Sequence, residues 1–262
     1  MKVYINGEFF DEKKAKISVL DKGFLYGYGA YVTTRLYNKK PFLLDEQIKK
    51  LIRSAKFLKI KTPTIGKIKT ALQKTIQENN LDNATLRITL SAGINNKPSL
   101  TIIPKELTIN QEIYKGVRVI TVKAHRVMPE IKTSNCIPSL LARKLAKKRR
   151  AYEAILIDQE DFVREGSRSN IFFIKNNVLF TPDRKILKGE TRNLTLKLAK
   201  KIMKINLCEI EKKNMYKADE CFITHTSGEI VPVVKIDNKK INKGKLGRMT
   251  LKLIEVFKNA TP

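Results

Sequence analysis

Lys132, in Ile131-Lys132-Thr133-Ser134-Asn135, and Glu165, in Val163-Arg164-Glu165-Gly166-Ser167-Arg168-Ser169-Asn170-Ile171-Phe172, have the settings that most invite chemistry. A lysine amine can add to a carbonyl and afterwards take or give a proton. A carboxylate at the entrance to an apolar strand can hold a neighbouring ring nitrogen protonated. Further on, Leu187-Lys188-Gly189-Glu190-Thr191-Arg192 offers N–H groups at a helix start and the Thr191 hydroxyl, a combination that suits a phosphate. Phe222-Ile223-Thr224-His225-Thr226-Ser227-Gly228-Glu229-Ile230-Val231 places a small polar turn between two apolar runs. On residue type alone each block also has a plainer reading. Lys132 is one lysine among many, a glutamate before a strand is normally solvated, and a Gly-x-Thr helix start is an N-cap.

At 262 residues the chain can form one large domain or two modest ones, and either buries a sizeable core. Hydrophobic residues make up 42% and charged residues 30%, a globular rather than a disordered composition. No apolar run approaches the roughly 18 residues that cross a bilayer. The N-terminus reads as strand and turn without an apolar signal segment, so a cytoplasmic location is the expectation. The three cysteines, Cys136, Cys208 and Cys221, are scattered without metal-ligand spacing or a disulfide framework. Only two histidines occur, His125 and His225, so neither a His-based zinc site nor a Ser-His-Asp triad is expected. The net charge of +28 makes nucleic-acid binding the rival function of a different class. The lysines are spread along the whole chain, however. The densest cluster, Arg143-Lys144 with Lys147-Lys148-Arg149-Arg150, lies on the solvent side of a predicted helix and lacks the interleaved aromatics of a single-strand platform. Specific nucleic-acid binding is therefore not expected.

The elements that must position these blocks follow from periodicity. Val3 to Ile5, the Asn6-Gly7 turn and Phe9-Phe10 read as a hairpin, because both central turn residues need positive φ. Ala15 to Val19 alternates as a further strand. A glycine-rich bend from Gly23 leads into a strand from Tyr31 to Tyr37. Ile48, Leu51, Ile52, Ala55 and Leu58 recur at helical spacing, and a second helix covers Ile65 to Gln77. Thr85 to Ser91 is a strand, Ala92 to Pro98 a loop, and Gly116 to Val122 another strand. Pro138 opens a helix. Strands at Ala154–Ile157, Asn170–Ile174 and Val178–Phe180, a helix from about Thr191, strands at Cys221–Thr224 and Ile230–Ile236, and a helix after about Gly244 complete the chain. Strands and helices mix without strict alternation, which favours α+β over a doubly wound sheet.

Together these blocks resemble the fold-type IV pyridoxal-phosphate enzymes, the class IV aminotransferases, which include branched-chain aminotransferases, D-amino-acid aminotransferases and aminodeoxychorismate lyases. In that family the cofactor-linking lysine stands in a Lys-x-x-Asn setting before a helix with an Ala-Lys/Arg-x-x-Ala pattern. Here these read Lys132-Thr133-Ser134-Asn135 and Ala142-Arg143-Lys144-Leu145-Ala146. Glu165 matches the pyridine-nitrogen carboxylate of the family's Glu-Gly-x-x-x-Asn motif, the most specific of the matches. Gly189-Glu190-Thr191-Arg192 is similar to the phosphate turn, so the resemblance implies that Glu190 and Thr191 bind cofactor, with Thr226 as a further phosphate hydroxyl and Lys50 as the phosphate cation. For the substrate it implies Tyr31, Arg87, and the N–H groups of the turn holding Ser227 and Gly228. The fold so implied has a small N-terminal α/β domain, 1–120, and a larger C-terminal mixed α/β pseudo-barrel domain, 121–262, with pyridoxal 5'-phosphate between them. The resemblance also implies a homodimer.

The chain departs from the family pattern at several positions. Gly-Asp-Gly is Gly27-Tyr28-Gly29, an acidic residue after the active-site aromatic is Val32, and the Glu-His pair opening the first long helix is Glu46-Gln47. Lys50 replaces an arginine, which keeps the charge and loses the bidentate fork. Glu190 replaces an apolar residue, and its carboxylate must point away from a phosphate. Cys136 stands where branched-chain enzymes place a tyrosine. Among the family's activities, D-amino-acid transfer is disfavoured because Ala92 to Pro98 carries no arginine or histidine. The expectation is amino-group transfer between an L-amino acid, branched-chain or otherwise apolar, and 2-oxoglutarate, with 4-amino-4-deoxychorismate lyase as the alternative and a non-catalytic homologue, like the nucleic-acid binder, as one of a different class.

Overall fold

The structure, a computed structural model, describes residues 1–262. It divides into two compact units: Met1–Thr108 with Ile131–Asn135 and Pro262, and Ile109–Glu130 with Cys136–Thr261. No helix is long and apolar enough to cross a membrane.

The first unit is built on β1 (Lys2–Ile5), β2 (Glu8–Asp11), α1 (Lys22–Tyr26), β3 (Gly29–Tyr37), β4 (Lys40–Phe42), α2 (Leu44–Phe57), α3 (Ile65–Glu78), β5 (Ala84–Ile94) and β6 (Lys97–Glu106). Its sheet runs β2-β1-β6-β5-β3-β4. Period-2 alternation sends Ala30, Val32, Thr34 and Leu36 of β3, and Leu86, Ile88 and Leu90 of β5, into the core. The apolar stripes of α2 (Ile48, Leu51, Ala55) and α3 (Ile68, Ala71, Leu72) join that core. Each such large apolar side chain contributes about 1.5–3 kcal/mol by leaving water. The alternate residues Tyr31, Thr33, Arg87 and Thr89 therefore share the other face of the sheet.

Two expectations differ here. Ala15–Val19 forms no strand; it has no sheet partner, and Ile17 and Val19 are exposed. The expected loop at Ala92–Pro98 is the tip of the β5–β6 hairpin, turned by Asn95 and Asn96, both at positive φ.

The second unit comprises β7 (Val117–Lys123), α4 (Ile137–Lys148), β8 (Glu153–Ile157), β9 (Phe162–Gly166), β10 (Asn170–Lys175), β11 (Val178–Thr181), α5 (Glu190–Ala199), β12 (Lys204–Leu207), β13 (Ile210–Glu211), α6 (Lys212–Met215), β14 (Glu220–His225), β15 (Glu229–Ile236), β16 (Lys239–Lys240) and α7 (Arg248–Lys258). Ten strands form one mixed sheet in the order β12-β11-β10-β14-β15-β7-β8-β9-β13, with β16 on β15. β8 and β10 are nearly continuous buried runs, as expected of strands covered on both faces. Ala142 and Ala146 of α4 pack on Ile120, Ala154 and Leu156, and the opposite face holds Ile155, Ile157, Ile171, Ile223 and Val231. β9 and β10 are far apart along the sheet path, yet the turn Ser167-Arg168-Ser169 joins them and Gly166 N–H bonds the Ser169 carbonyl at 2.7 Å. The sheet must curl to permit this, giving the pseudo-barrel that the resemblance implies.

The expected division at residue 120 differs from this partition. Val117–Lys123 pairs with β8 and β15 and so lies within the second unit, whereas Ile131–Asn135 hydrogen-bonds to β3 in the first.

Candidate active site

Backbone pairing positions Lys132. Tyr31 N–H donates to the Lys132 carbonyl at 3.1 Å and Ser134 N–H to the Gly29 carbonyl at 2.8 Å, so the lysine segment lies along the edge of β3. The Lys132 N–H donates to Ser54 Oγ of α2 at 3.1 Å. Lys50, buried, precedes Ser54 by four residues and so lies on the same face of that helix. On the sheet, Arg87 is the diagonal cross-strand neighbour of Tyr31, which explains why its guanidinium carbon lies 3.5 Å from the Tyr31 ring centroid. Lys132 Nζ is 5.1 Å from the same centroid. The first unit thus gathers Lys132, Tyr31 and Arg87 around one aromatic ring.

In the second unit Glu165 lies on β9 itself, buried, rather than ahead of a strand. Arg126 Nη1 donates to its Oε1 at 3.2 Å and Leu187 N–H to its Oε2 at 3.2 Å. Asn170, at the end of the same six-residue motif, donates to the Leu187 carbonyl at 2.7 Å and accepts the Gly189 N–H at 3.3 Å. Glu165 and Asn170 therefore both grip residues 187–189, immediately before α5. A Cβ at Gly189 would approach Asn170 Oδ1 to 2.6 Å, so the close approach requires glycine. The Glu-Gly-x-x-x-Asn spacing thereby fixes the carboxylate and the helix start in one register.

Gly189 caps α5 without a side-chain bond, leaving the first-turn N–H groups to be satisfied from outside the helix. Thr191 is buried in that turn. Glu190 is engaged along the helix, with Asn193 Nδ2 donating to its Oε2 at 3.0 Å. Thr224 is the cross-strand partner of Asn170, and its Oγ1 is buried without a hydrogen-bond partner. Thr226 and Ser227 are half-buried in the turn between β14 and β15, and the Gly228 N–H in that turn donates to His225 Nδ1. An uncapped helix start, a buried threonine beside it and an unpartnered buried hydroxyl on the neighbouring strand form a donor set for a phosphate. The buried carboxylate of Glu165, in the same register, suits a protonated ring nitrogen.

A family model for amino-transferase class IV matches residues 29–236. The chain belongs to the class IV aminotransferases. A putative branched-chain-amino-acid aminotransferase of Methanocaldococcus jannaschii is 39% identical, the alignment covering 99% of this chain and 96% of that one. A D-alanine aminotransferase of Listeria monocytogenes is 32% identical over 98% and 95% of the two chains. Among solved structures, a T.th. branched-chain amino acid aminotransferase with pyridoxamine 5'-phosphate superposes with a TM-score of 0.93 at 30% identity, covering 99% and 93%. The same enzyme complexed with N-(5'-phosphopyridoxyl)-L-glutamate gives 0.91 at 29% identity with the same coverage. The cofactor of this class IV aminotransferase is pyridoxal 5'-phosphate, and the donor set around Glu165 and Gly189 fits it.

Arg126, bonded to the Glu165 carboxylate, and His225, bonded to the Gly228 N–H, are not among the residues that the sequence singles out. Arg126 is one of 53 lysines and arginines, and nothing near it in sequence marks it as the partner of a buried carboxylate. His225 stands directly beside Thr226, but a lone histidine at a strand end carries no local signal of what its ring will hold.

Proposed function

We propose that this aminotransferase moves an amino group between a branched-chain or otherwise apolar L-amino acid and 2-oxoglutarate. The observation that carries the reading is the Arg87 guanidinium stacked on Tyr31 beside Lys132, a fixed cation suited to the side-chain carboxylate of glutamate. The glutamate adduct of the T.th. enzyme supports it, as does the greater identity to the Methanocaldococcus protein than to the D-alanine enzymes. When bound, pyridoxal phosphate supplies an aldehyde for the amino group and a ring that accepts electrons.

In this reading Lys132 Nζ would be the amine that links the cofactor and the base that moves the substrate α-proton. Glu165, its position fixed by Arg126 and Leu187 N–H, keeps the ring nitrogen protonated. Lys50, Thr191, Thr226 and the backbone at Glu190 hold the phosphate. The turn at Ser227-Gly228 receives the substrate carboxylate. The enzyme works as a homodimer in the cytoplasm; the exposed apolar side chains Ile17, Val19, Leu20, Phe24 and Leu25 support association with a second copy.

The test is glutamate formation from 2-oxoglutarate with L-leucine, L-isoleucine or L-valine, run beside D-alanine. Turnover of the L-amino acids supports the reading. Turnover of D-alanine alone would refute it and assign the activity to D-amino acids, the substrate class in the name of the 32% identical Listeria enzyme. Release of 4-aminobenzoate from aminodeoxychorismate, without glutamate formation, would mark a lyase.

A further inference from the structure

His225 ends β14, where the chain turns through Thr226, Ser227 and Gly228 into β15, and its imidazole is buried. Gly228 N–H donates to His225 Nδ1 at 3.0 Å and, with longer reach, to the His225 carbonyl at 3.3 Å. A backbone N–H can only donate, so Nδ1 must accept and the ring proton resides on Nε2. Nε2–H donates to Tyr152 Oη at 2.9 Å, and the two rings stack with centroids 6.0 Å apart. Burial pushes the Tyr152 phenol up from its ordinary value, keeping it a neutral partner. Ser227 Oγ lies 3.1 Å from Nδ1, against the ring at the tip of the turn. Gly228 is also engaged through its carbonyl, which accepts from Tyr114 Oη at 3.4 Å. A Cβ at Gly228 would come within 2.4 Å of His225 Cε1, so the imidazole occupies the space of any side chain there.

We propose that His225 is a positioning residue that fixes this turn for the substrate carboxylate, holding the Gly228 N–H on itself and leaving Ser227 to receive the acid. The proposal rests on the reading that the turn binds the substrate carboxylate, and it corrects one part of it. The resemblance assigns both Ser227 and Gly228 to that carboxylate, whereas the Gly228 N–H is already given to the imidazole. The ring is anchored on its far side by Tyr152, so the turn is set by β14 and the segment before β8 rather than by its own three residues.

Four substitutions in the holoenzyme test this. His225→Phe keeps the ring volume and removes both hydrogen bonds. His225→Gln can accept the Gly228 N–H and donate to Tyr152. Gly228→Ala is made with His225 intact and again with His225→Ala. The binding probe is 4-methylvaleric acid, an unreactive carboxylate with which the T.th. enzyme has been solved, titrated by the change in cofactor absorbance. His225→Phe should weaken the acid and raise KM for the amino acid by about five- to tenfold, with kcat changed by no more than about twofold, and His225→Gln should recover most of the loss. In urea denaturation, Gly228→Ala should be costly beside His225 and nearly neutral once the ring is gone. Equal cost in both backgrounds would overturn the positioning role itself. Clear coupling together with unchanged acid affinity in His225→Phe would overturn the proposal for a different reason, showing that the turn does not receive the carboxylate.

Discussion

Replacing Asn170 by alanine should damage stability and cofactor binding together, because one carboxamide secures the segment that starts α5. The side chain is buried and makes two hydrogen bonds, to the Leu187 carbonyl at 2.7 Å and from the Gly189 N–H at 3.3 Å. Each bond contributes about 1 kcal/mol net, and a buried carbonyl left unpaired costs about 1–3 kcal/mol more. Because the two bonds share one side chain and Gly189 is partly solvated, the total should be about 2–4 kcal/mol. Urea denaturation followed through the second unit measures that loss. Absorbance titration with pyridoxal phosphate measures the second effect, a fall in affinity of roughly tenfold or more as the N–H groups at the α5 start lose their fixed direction. Asn193→Ala is the control: it removes a bond to Glu190 on the exposed side of the same helix and should cost no more than about 0.5 kcal/mol. A loss below about 1 kcal/mol for Asn170→Ala, with cofactor affinity unchanged, would refute the coupling of motif to helix start.

Three further outcomes are expected. Arg126→Leu removes the cation 3.2 Å from Glu165 where both side chains are buried, and should cost about 3–5 kcal/mol in urea denaturation, with Arg126→Lys intermediate. Ser54→Ala deprives the Lys132 N–H of its acceptor and should cost about 1 kcal/mol while lowering kcat more than it raises KM, as steady-state kinetics would show. Burial alone would raise the Asp158 carboxyl, but N–H bonds from Phe162 and Glu160 and the Arg164 guanidinium outweigh it and hold the group below its usual range. The unfolded chain therefore binds this proton more readily. The stabilisation is complete above the ordinary carboxyl value of about 3.9 and is lost as pH falls through the lower folded value. Asp158→Asn should flatten the acid limb of the urea midpoint against pH.

What was legible in the sequence was local. The Asn6-Gly7 hairpin, the apolar stripes of α2 and α3 and the buried run of β10 each carry their period in consecutive residues. β6 was hidden by Pro98 and Pro104. Pro104 is tolerated because β1 pairs only with Thr101 and Ile102, leaving the N–H side of β6 uncovered at that end. β9 was masked by its charges: Arg164 and Glu165 look like surface residues until Asp158 across the β8–β9 turn, and Glu209 and Arg126 from distant positions, are brought to them. The return of Ile131–Asn135 to the first unit leaves no local signal, since it rests on backbone pairing with β3. The same holds for the partnership of His225 with Tyr152. The Glu-Gly-x-x-x-Asn motif was legible as a match to the family, but its physical reason, two side chains gripping residues 187–189, required the structure.

The central claim is that Lys132 is the amine that links the cofactor, and one measurement addresses it directly. Holoenzyme saturated with pyridoxal phosphate is reduced with borohydride, digested and mapped by peptide mass. A single reduced adduct on Lys132 is the predicted result. An adduct on another lysine such as Lys50, or no adduct at saturating cofactor, would contradict it.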